Sequence, residues 1–467
     1  MRDNHVVRRT QVEAMSNFRP INRDTPFLFP PSVDEWLPER HLARFVVEVI
    51  DGLDLSELVK AYRGSGIASY HPSMLLGLLI YGYATQVFSS RAIERATHDS
   101  VAFRFIAGNE HPDHDTIAAF RKRFLPQIKA LFVEVLKLAG TMGMLKMGTV
   151  ALDGTKLHAN ASRHSALSYG HAKKIEKQLK REVQQLLQLA ERADGVNTPD
   201  GMSIPEELER RETRLAAIAD AKAKIEARAK ERLEREQAEH QAKLAARAEQ
   251  EKRTGKKPGG RPPEPPSGGV KDTEQVNLTD EESRIMKVAG GGFDQCYNAQ
   301  AVVATGSLLI VATEVAQAPN DKSQLRPMLE KLAALPKELG RTKRILADNG
   351  YFSEANVEAC EAARIEPLIA MGRSSHHLSW KQRFAAAPKS PPPSATPLQK
   401  MAHRLKTRRG KKLYGLRKQT PEPVFGIIKS VMGYRQCLLR GLENVKGEWN
   451  LVTMSWNIKR MFAMQPS

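Results

Sequence analysis

Thr149-Val150-Ala151-Leu152-Asp153 and Arg344-Ile345-Leu346-Ala347-Asp348 are the two stretches that decide how this chain is read. Each is a short apolar run closed by an aspartate. Aliphatic and β-branched runs of this kind, bounded by turn residues, read as buried strands. Ligands of α/β sheets collect at the carboxyl ends of strands, so two aspartates ending neighbouring strands would converge. Hard divalent cations prefer oxygen ligands. Two such ions roughly 4 Å apart can clamp the attacking and leaving oxygens of an in-line phosphoryl displacement. Asp153-Gly154 and Asp348-Asn349-Gly350 are also ordinary turn sequences, so either motif alone reads more readily as a turn, and it is their pairing that points to a site.

Working outward from Asp348, the second half of the chain alternates strands and helices. Cys296–Thr305 and Leu308–Val315 flank Gly306-Ser307 as a hairpin. A helix follows near 325–335, then the Asp348 strand, then a helix near 353–363. Ile365–Ala370 reads as a strand, and Pro367 places it at a sheet edge. A hairpin followed by β/α alternation predicts a mixed sheet covered by helices. Residues 371–400 read as loop, and the last helices begin near Thr420.

Working outward from Asp153, the composition changes sharply. Residues 170–253 are rich in Ala, Glu, Lys, Arg, Gln and Leu. Ile175, Leu179, Val183 and Leu186 make one stripe, and Leu208, Leu215, Ile218 and Ile225 another. The turn-rich segment 194–205 separates them, which predicts two long helices folded back as a hairpin. The Pro/Gly-rich run 255–269 excludes regular structure. Before Asp153, from 36 to 145, helical spacing dominates: Leu42, Phe45, Val46 and Ile50 repeat, as do Phe132, Val135, Leu136 and Leu138.

The chain has 467 residues with 72 Lys+Arg against 53 Asp+Glu, a net charge of +19. That excess points to a polyanionic partner. The longest apolar stretch, Met74–Phe88, falls short of the ~18–20 residues of a membrane span. The N-terminus carries no apolar signal-peptide core. Cys296, Cys360 and Cys437 form no C-x-x-C pair, so neither a zinc knuckle nor a disulfide framework is expected.

A third carboxylate comes from Glu422. Thr420 suits an N-cap and Pro421 the first helical turn. Val424, Phe425, Ile428 and Met432 form the buried stripe, leaving Glu422, Gly426 and Lys429 on a separate face. A carboxylate in a first helical turn also simply complements the helix dipole.

Tyr414-x-x-Arg417, then Glu422, then Lys429, resembles the signature of bacterial insertion-sequence transposases, with one more residue than usual between Arg417 and Glu422. LDGTK around Asp153, ADNGYFS around Asp348 and EPVFGIIKSVMGYRQCLLRG extend the resemblance from Phe18 to about Trp449. It is to the DDE transposases of the insertion-sequence-four-like superfamily, in the group numbered eleven eighty-two. The resemblance implies an α/β fold: an RNase H-like mixed-sheet catalytic core, a helical N-terminal domain and a long helical-hairpin insertion. It implies a DNA transposase whose Asp153, Asp348 and Glu422 are both catalytic and metal-binding. The ions would be Mg²⁺, two of them, with Mn²⁺ able to substitute. Arg417 and Lys429 would hold phosphates, and Tyr414 would pack against or contact DNA.

The chain then divides into an irregular arm (1–35), a helical DNA-binding domain (36–145), a catalytic core (146–165 and 276–467), a coiled-coil-like helical insertion (166–254) and a Pro/Gly-rich linker (255–275). Partners would be double-stranded DNA, both terminal inverted repeats and target, with a homodimer or larger assembly on DNA and no membrane. The compartment would be the bacterial cytoplasm, at the nucleoid when bound.

Other residues read more plainly. His111-Pro112-Asp113-His114-Asp115 suggests metal, but His114 or Asp115 better begins a helix whose Arg121, Lys122 and Arg123 face outward. The run from Ser89 to Ile106 offers the first helix of a helix-turn-helix. His158, Asn160 and Asn349 lie near the carboxylates as ordinary loop residues. Asp294 and Asp321 read as caps or turns. The basic run through Arg408, Arg409, Lys411 and Lys412, which leads into the Glu422 helix, reads as phosphate-backbone contacts in preference to a solvated loop. Two alternatives share all these features: an RNase H-like nuclease that never joins ends, and a catalytically inactive DNA-binding derivative.

Overall fold

The computed structural model describes residues 32–62, 69–193, 204–255, 257, 259–372 and 389–465. Most of the N-terminal arm and of the turn segment 194–205 lies outside them, as does 373–388 of the expected 371–400 loop.

Six helices come first: α1 (Leu42–Asp51), α2 (Ser56–Lys60), α3 (Pro72–Ala84), α4 (Ser90–Asp99), α5 (Val101–Ile106) and α6 (His114–Thr141). Phe45, Val46 and Ile50 of α1, and Phe132, Val135 and Leu136 of α6, are buried, as their spacing predicts. Apolar on nearly all sides, α3 is buried on nearly all sides. No described helix is long and apolar enough to cross a membrane. Asp113 caps α6, its carboxylate accepting the Thr116 amide at 2.7 Å. Lys122 and Arg123 face outward as expected, but Arg121 is buried. Its guanidinium donates to the Tyr83 hydroxyl at 3.3 Å and the Phe88 carbonyl at 3.2 Å. Tyr83 in turn donates to Glu448 at 2.8 Å. These partners come from distant segments, so helical spacing alone does not reveal them.

The sheet is mixed. β1 (Thr149–His158) pairs antiparallel with β5 (Phe293–Ala304) on one side and parallel with β7 (Arg344–Ala347) on the other. β8 (Glu366–Ile369) is the edge strand beyond β7, also parallel, and Pro367 sits in it opposite Ile345. β4 (Arg284–Lys287) and β6 (Ile310–Ala316) share the outer edge of β5. Three short strands were not legible in the sequence: β4, and the pair β2 (Ala166–Ser168) and β3 (Gln275–Asn277). β1 also runs five residues past Asp153, which is therefore mid-strand and not at a strand end. Its antiparallel partner β5 extends it after β7 has stopped.

Helices α7 (Tyr169–Ala193) and α8 (Ile204–Thr254) rise from the β2–β3 pair. Leu179, Ile218, Ala221 and Ile225 are buried between them with Leu167 and Val276 of the small strands, a core separate from the main one. Ion pairs Arg211–Glu182 at 2.9 Å and Lys222–Glu176 at 2.7 Å tie the two helices together. Residues 261–270 have no regular structure.

Helices α9 (Leu325–Ala333) and α10 (Glu354–Ala362) alternate with the strands as expected. The basic stretch after residue 396 is not a loop. It forms α11 (Pro397–Lys406) and α12 (Arg408–Gly415), α11 opened by a Thr396–Gln399 capping box. So much charge on one short stretch concealed its helical spacing. α13 (Pro421–Gly426) continues into a π turn over Ile427–Val431. Thr420 stands at its N-cap position, but the hydroxyl donates to the Leu416 carbonyl at 2.7 Å instead of capping. Val424, Phe425, Ile428 and Met432 are buried as expected.

The last helix, α14 (Leu442–Met464), joins the helical and sheet halves. Trp449 donates to the Gln300 carbonyl at 3.1 Å, and the Asn457 amide both donates to and accepts from the backbone of Ile310 at 2.8 Å. One apolar core runs without a break from α1 through the sheet to α14.

Candidate active site

The parallel register of β1 and β7 pairs Ala151 with Leu346. Asp153 and Asp348 each stand two residues further, so they come level where β7 ends. Asp153 accepts the Gly154 amide at 2.9 Å on one oxygen. Asp348 caps the single turn Asn349–Tyr351, accepting the Gly350 amide at 2.8 Å. Burial, and next the nearby Asp348 charge, push the Asp153 carboxyl up to about 7, against the pull of the Gly154 amide and Arg417.

Glu422 is reached through Arg417. The guanidinium lies 3.6 Å from Asp153 and 3.1 Å from Glu422. Arg417 is only 12% exposed, and its Nε is enclosed with no hydrogen-bond partner among the described residues. Glu422 is half exposed. Among the described residues no three His, Cys, Asp or Glu side chains converge as a metal cage. The structure thus brings Asp153 and Asp348 together and links Glu422 to them by a cation.

Tyr414 lies half-buried against Ala151, Leu346 and Leu368, beneath the same end of the sheet. Burial raises its phenol pKa. Arg408, Arg409, Lys411 and Lys412 are exposed on α12. Lys429 is placed differently: its ammonium donates to the Lys156 carbonyl at 2.7 Å, and burial lowers its pKa. The Lys156 ammonium beside it is enclosed with no hydrogen-bond partner among the described residues.

Several nearby residues are occupied elsewhere. His158 sits 3.0 Å from Asp294, at the far end of β1, so Asp294 is a strand partner rather than a cap or turn. Asn160 donates to the Leu438 carbonyl at 2.7 Å, and Asn349 is exposed. His111 stacks on His98 with ring centres 3.9 Å apart, and His114 pairs with Glu94 at 2.8 Å. The three cysteines are buried and free.

Asp321 opens a turn as expected, its backbone carbonyl accepting the Gln324 amide at 2.9 Å, but its carboxylate reaches further. Its Oδ1 accepts from Asn298 at 2.7 Å and from Gln300 at 2.8 Å, both fully buried on β5. Gln300 accepts from the Tyr351 hydroxyl. The sequence does carry a signal: the amides Asn298 and Gln300, two residues apart, share one face of β5 amid Tyr297, Ala299, Ala301 and Val302.

Two family models match the chain. One described as Transposase domain (DUF772) matches residues 31–123, and one described as Transposase DDE domain matches residues 263–458. The first takes in α1 to α5 and the start of α6. The second contains Asp348, Arg417, Glu422 and Lys429, while Asp153 lies upstream, across the helical insertion. No curated protein and no solved structure matches. Two transposase models, in this order and over well more than half of the chain, place it among the DDE transposases of bacterial insertion sequences.

Proposed function

We propose that this transposase binds the ends of its insertion sequence and performs metal-dependent DNA cleavage and strand transfer at Asp153, Asp348 and Glu422. The observation that carries this is the level placement of Asp153 and Asp348 on adjacent parallel strands, with Asp153 held near neutrality by burial and by its neighbour. Such a pair favours a cation, and carboxylate oxygens suit Mg²⁺ or Mn²⁺. The strand order, with the β5–β6 hairpin antiparallel to β1 and β7–β8 parallel to it, supports an RNase H-like core. The group numbered eleven eighty-two remains our assignment for the chain.

A divalent ion held by these carboxylates would neutralise charge on the scissile phosphate and lower the pKa of the attacking water. The protein's own groups do the remainder. Asp153 and Asp348, fixed by backbone amides, present oxygens at one point. Glu422 completes the set when Arg417 turns from it toward a phosphate. The exposed cations of α12 hold the DNA backbone leading into the site. Lys429, tied to β1, sets the position of α13 and its π turn.

The test is a cleavage and joining assay with Mg²⁺ on a plasmid carrying the DNA that flanks this reading frame. Asp153→Ala, Asp348→Ala and Glu422→Ala should each abolish both steps while DNA binding persists. Survival of cleavage in any one variant removes that residue from the essential set. Cleavage without joining in the wild type would establish a nuclease instead.

A further inference from the structure

We infer that Asp321 is a positioning residue for the reaction, the anchor that locks the Asp348 turn to the Asp153 strand. The inference rests on the assignment of Asp153 and Asp348 as the reacting carboxylates.

Three segments meet at Asp321. The first is β5, through Asn298 and Gln300 at 2.7 and 2.8 Å; the two amides are themselves joined at 3.0 Å. The second is the Asp348 turn, since the Tyr351 hydroxyl donates to the other end of Gln300. The third is β1, where Gly154 lies opposite Gln300 in register. A Cβ at Gly154 would lie 2.3 Å from the Gln300 amide nitrogen and 2.7 Å from Asp321 Oδ1. The carboxylate is therefore seated directly on the backbone that follows Asp153. A second tie runs in parallel: the buried Asn356 amide donates to the carbonyls of Lys322 at 2.8 Å and Tyr351 at 2.7 Å. The loop bearing Asp321 and the turn bearing Asp348 are thus fastened at two points.

The chemistry favours positioning over metal ligation. Oδ1 takes two neutral amide donors, and a hydrogen-bonded carboxylate oxygen of this kind orients its neighbours. An uncharged amide in its place still offers an oxygen to both donors, whereas an alanine offers none. Misplacement of a reacting group by ~1 Å costs on the order of 10²-fold in rate.

The experiment compares Asp321→Ala, Asp321→Asn and Tyr351→Phe in the full chain with Asp153→Ala as reference. Readouts are thermal melting, plasmid DNA affinity, maximal cleavage rate at saturating Mg²⁺, and Mn²⁺ binding without DNA by electron paramagnetic resonance. Asp321→Ala should lose roughly 30- to 100-fold in maximal rate, with DNA affinity retained, melting lowered by a few degrees as two buried amides lose an acceptor, and Mn²⁺ binding weakened. Asp321→Asn should restore most of both, and Tyr351→Phe should show a smaller loss of the same kind. An Asn variant as damaged as the Ala variant would overturn positioning, because the charge itself would then be required. Wild-type behaviour in both Asp321 variants would also overturn it. Retained cleavage in Asp153→Ala would instead remove the catalytic assignment underneath, and so is distinguishable from either.

Discussion

Arg417 stands between Asp153 and Glu422, 3.6 Å from one and 3.1 Å from the other, and nearly out of water. A guanidinium there offsets the repulsion among acids that a metal ion would otherwise offset. If it holds the place of the cation, its removal should leave carboxylates that bind metal more tightly. Arg417→Ala is expected to bind Mn²⁺ several-fold more strongly by calorimetry while cleaving DNA at least tenfold more slowly. Weaker Mn²⁺ binding would mean that Arg417 organises the acids and does not compete for them.

The pH dependence of the metal-free protein follows from Asp153. Its carboxyl rises from the ordinary 3.8 to about 7 in the folded chain. A raised value means that the folded state holds the proton more tightly than the unfolded state. The associated stability is complete below about pH 4 and is lost as pH climbs through 7, an effect of on the order of 4 kcal/mol at most. In chelator, melting temperature should fall between pH 5 and 8, and Asp153→Asn should flatten that fall. A slope unchanged in the variant would place its origin elsewhere.

Stability should be more sensitive at the junction of the two halves. Glu448 is fully buried on α14, with Tyr83 at 2.8 Å and the Leu438 and Leu439 amides at 3.0 and 3.1 Å. Arg121 approaches the same Tyr83 hydroxyl. Arg121→Ala would take a charged donor from the buried Tyr83 hydroxyl and the Phe88 carbonyl and should cost roughly 1.5–3 kcal/mol. Denaturant unfolding measures this, and a loss below about 1 kcal/mol would show that the tyrosine and backbone amides suffice.

The exposed cations of α12 should act through salt. Replacing Arg408, Arg409, Lys411 and Lys412 with alanine should weaken binding to any duplex alike. The slope of log affinity against log salt should fall by ~0.9 for each phosphate that is no longer neutralised. A sequence-dependent effect would show that these side chains read base edges instead.

Much of this arrangement could be read from the residues alone, where a local pattern has one cause. The β5–β6 hairpin, the β7 strand, the edge position of Pro367 and the buried face of α13 all follow from spacing and turn chemistry. What escaped depends on partners far away in sequence. Arg121 looks solvated until Tyr83 and Glu448 are beside it. β1 looks as if it ends at Asp153 because Gly154 follows, yet β5 carries it on to His158. Asp321 is the turn residue it looks like, but nothing local shows that Asn298 and Gln300 reach its carboxylate. The helices α11 and α12 were hidden because their charged faces resemble a solvated loop, although Thr396 and Gln399 already marked the start.

The helical hairpin leaves and rejoins the body of the protein at adjacent positions, since Ser168 pairs with Gln275 across β2 and β3. A turn of about two residues could bridge those strands. The arm is in this sense a tethered accessory, also held near its root by Lys224 and Arg228 of α8, which reach Glu281 of the body, each at 2.6 Å. Changes confined to the part of the arm beyond that root are expected to alter how far the molecule reaches while Asp153 keeps its place on β1, so reach and chemistry would be adjusted separately in one chain.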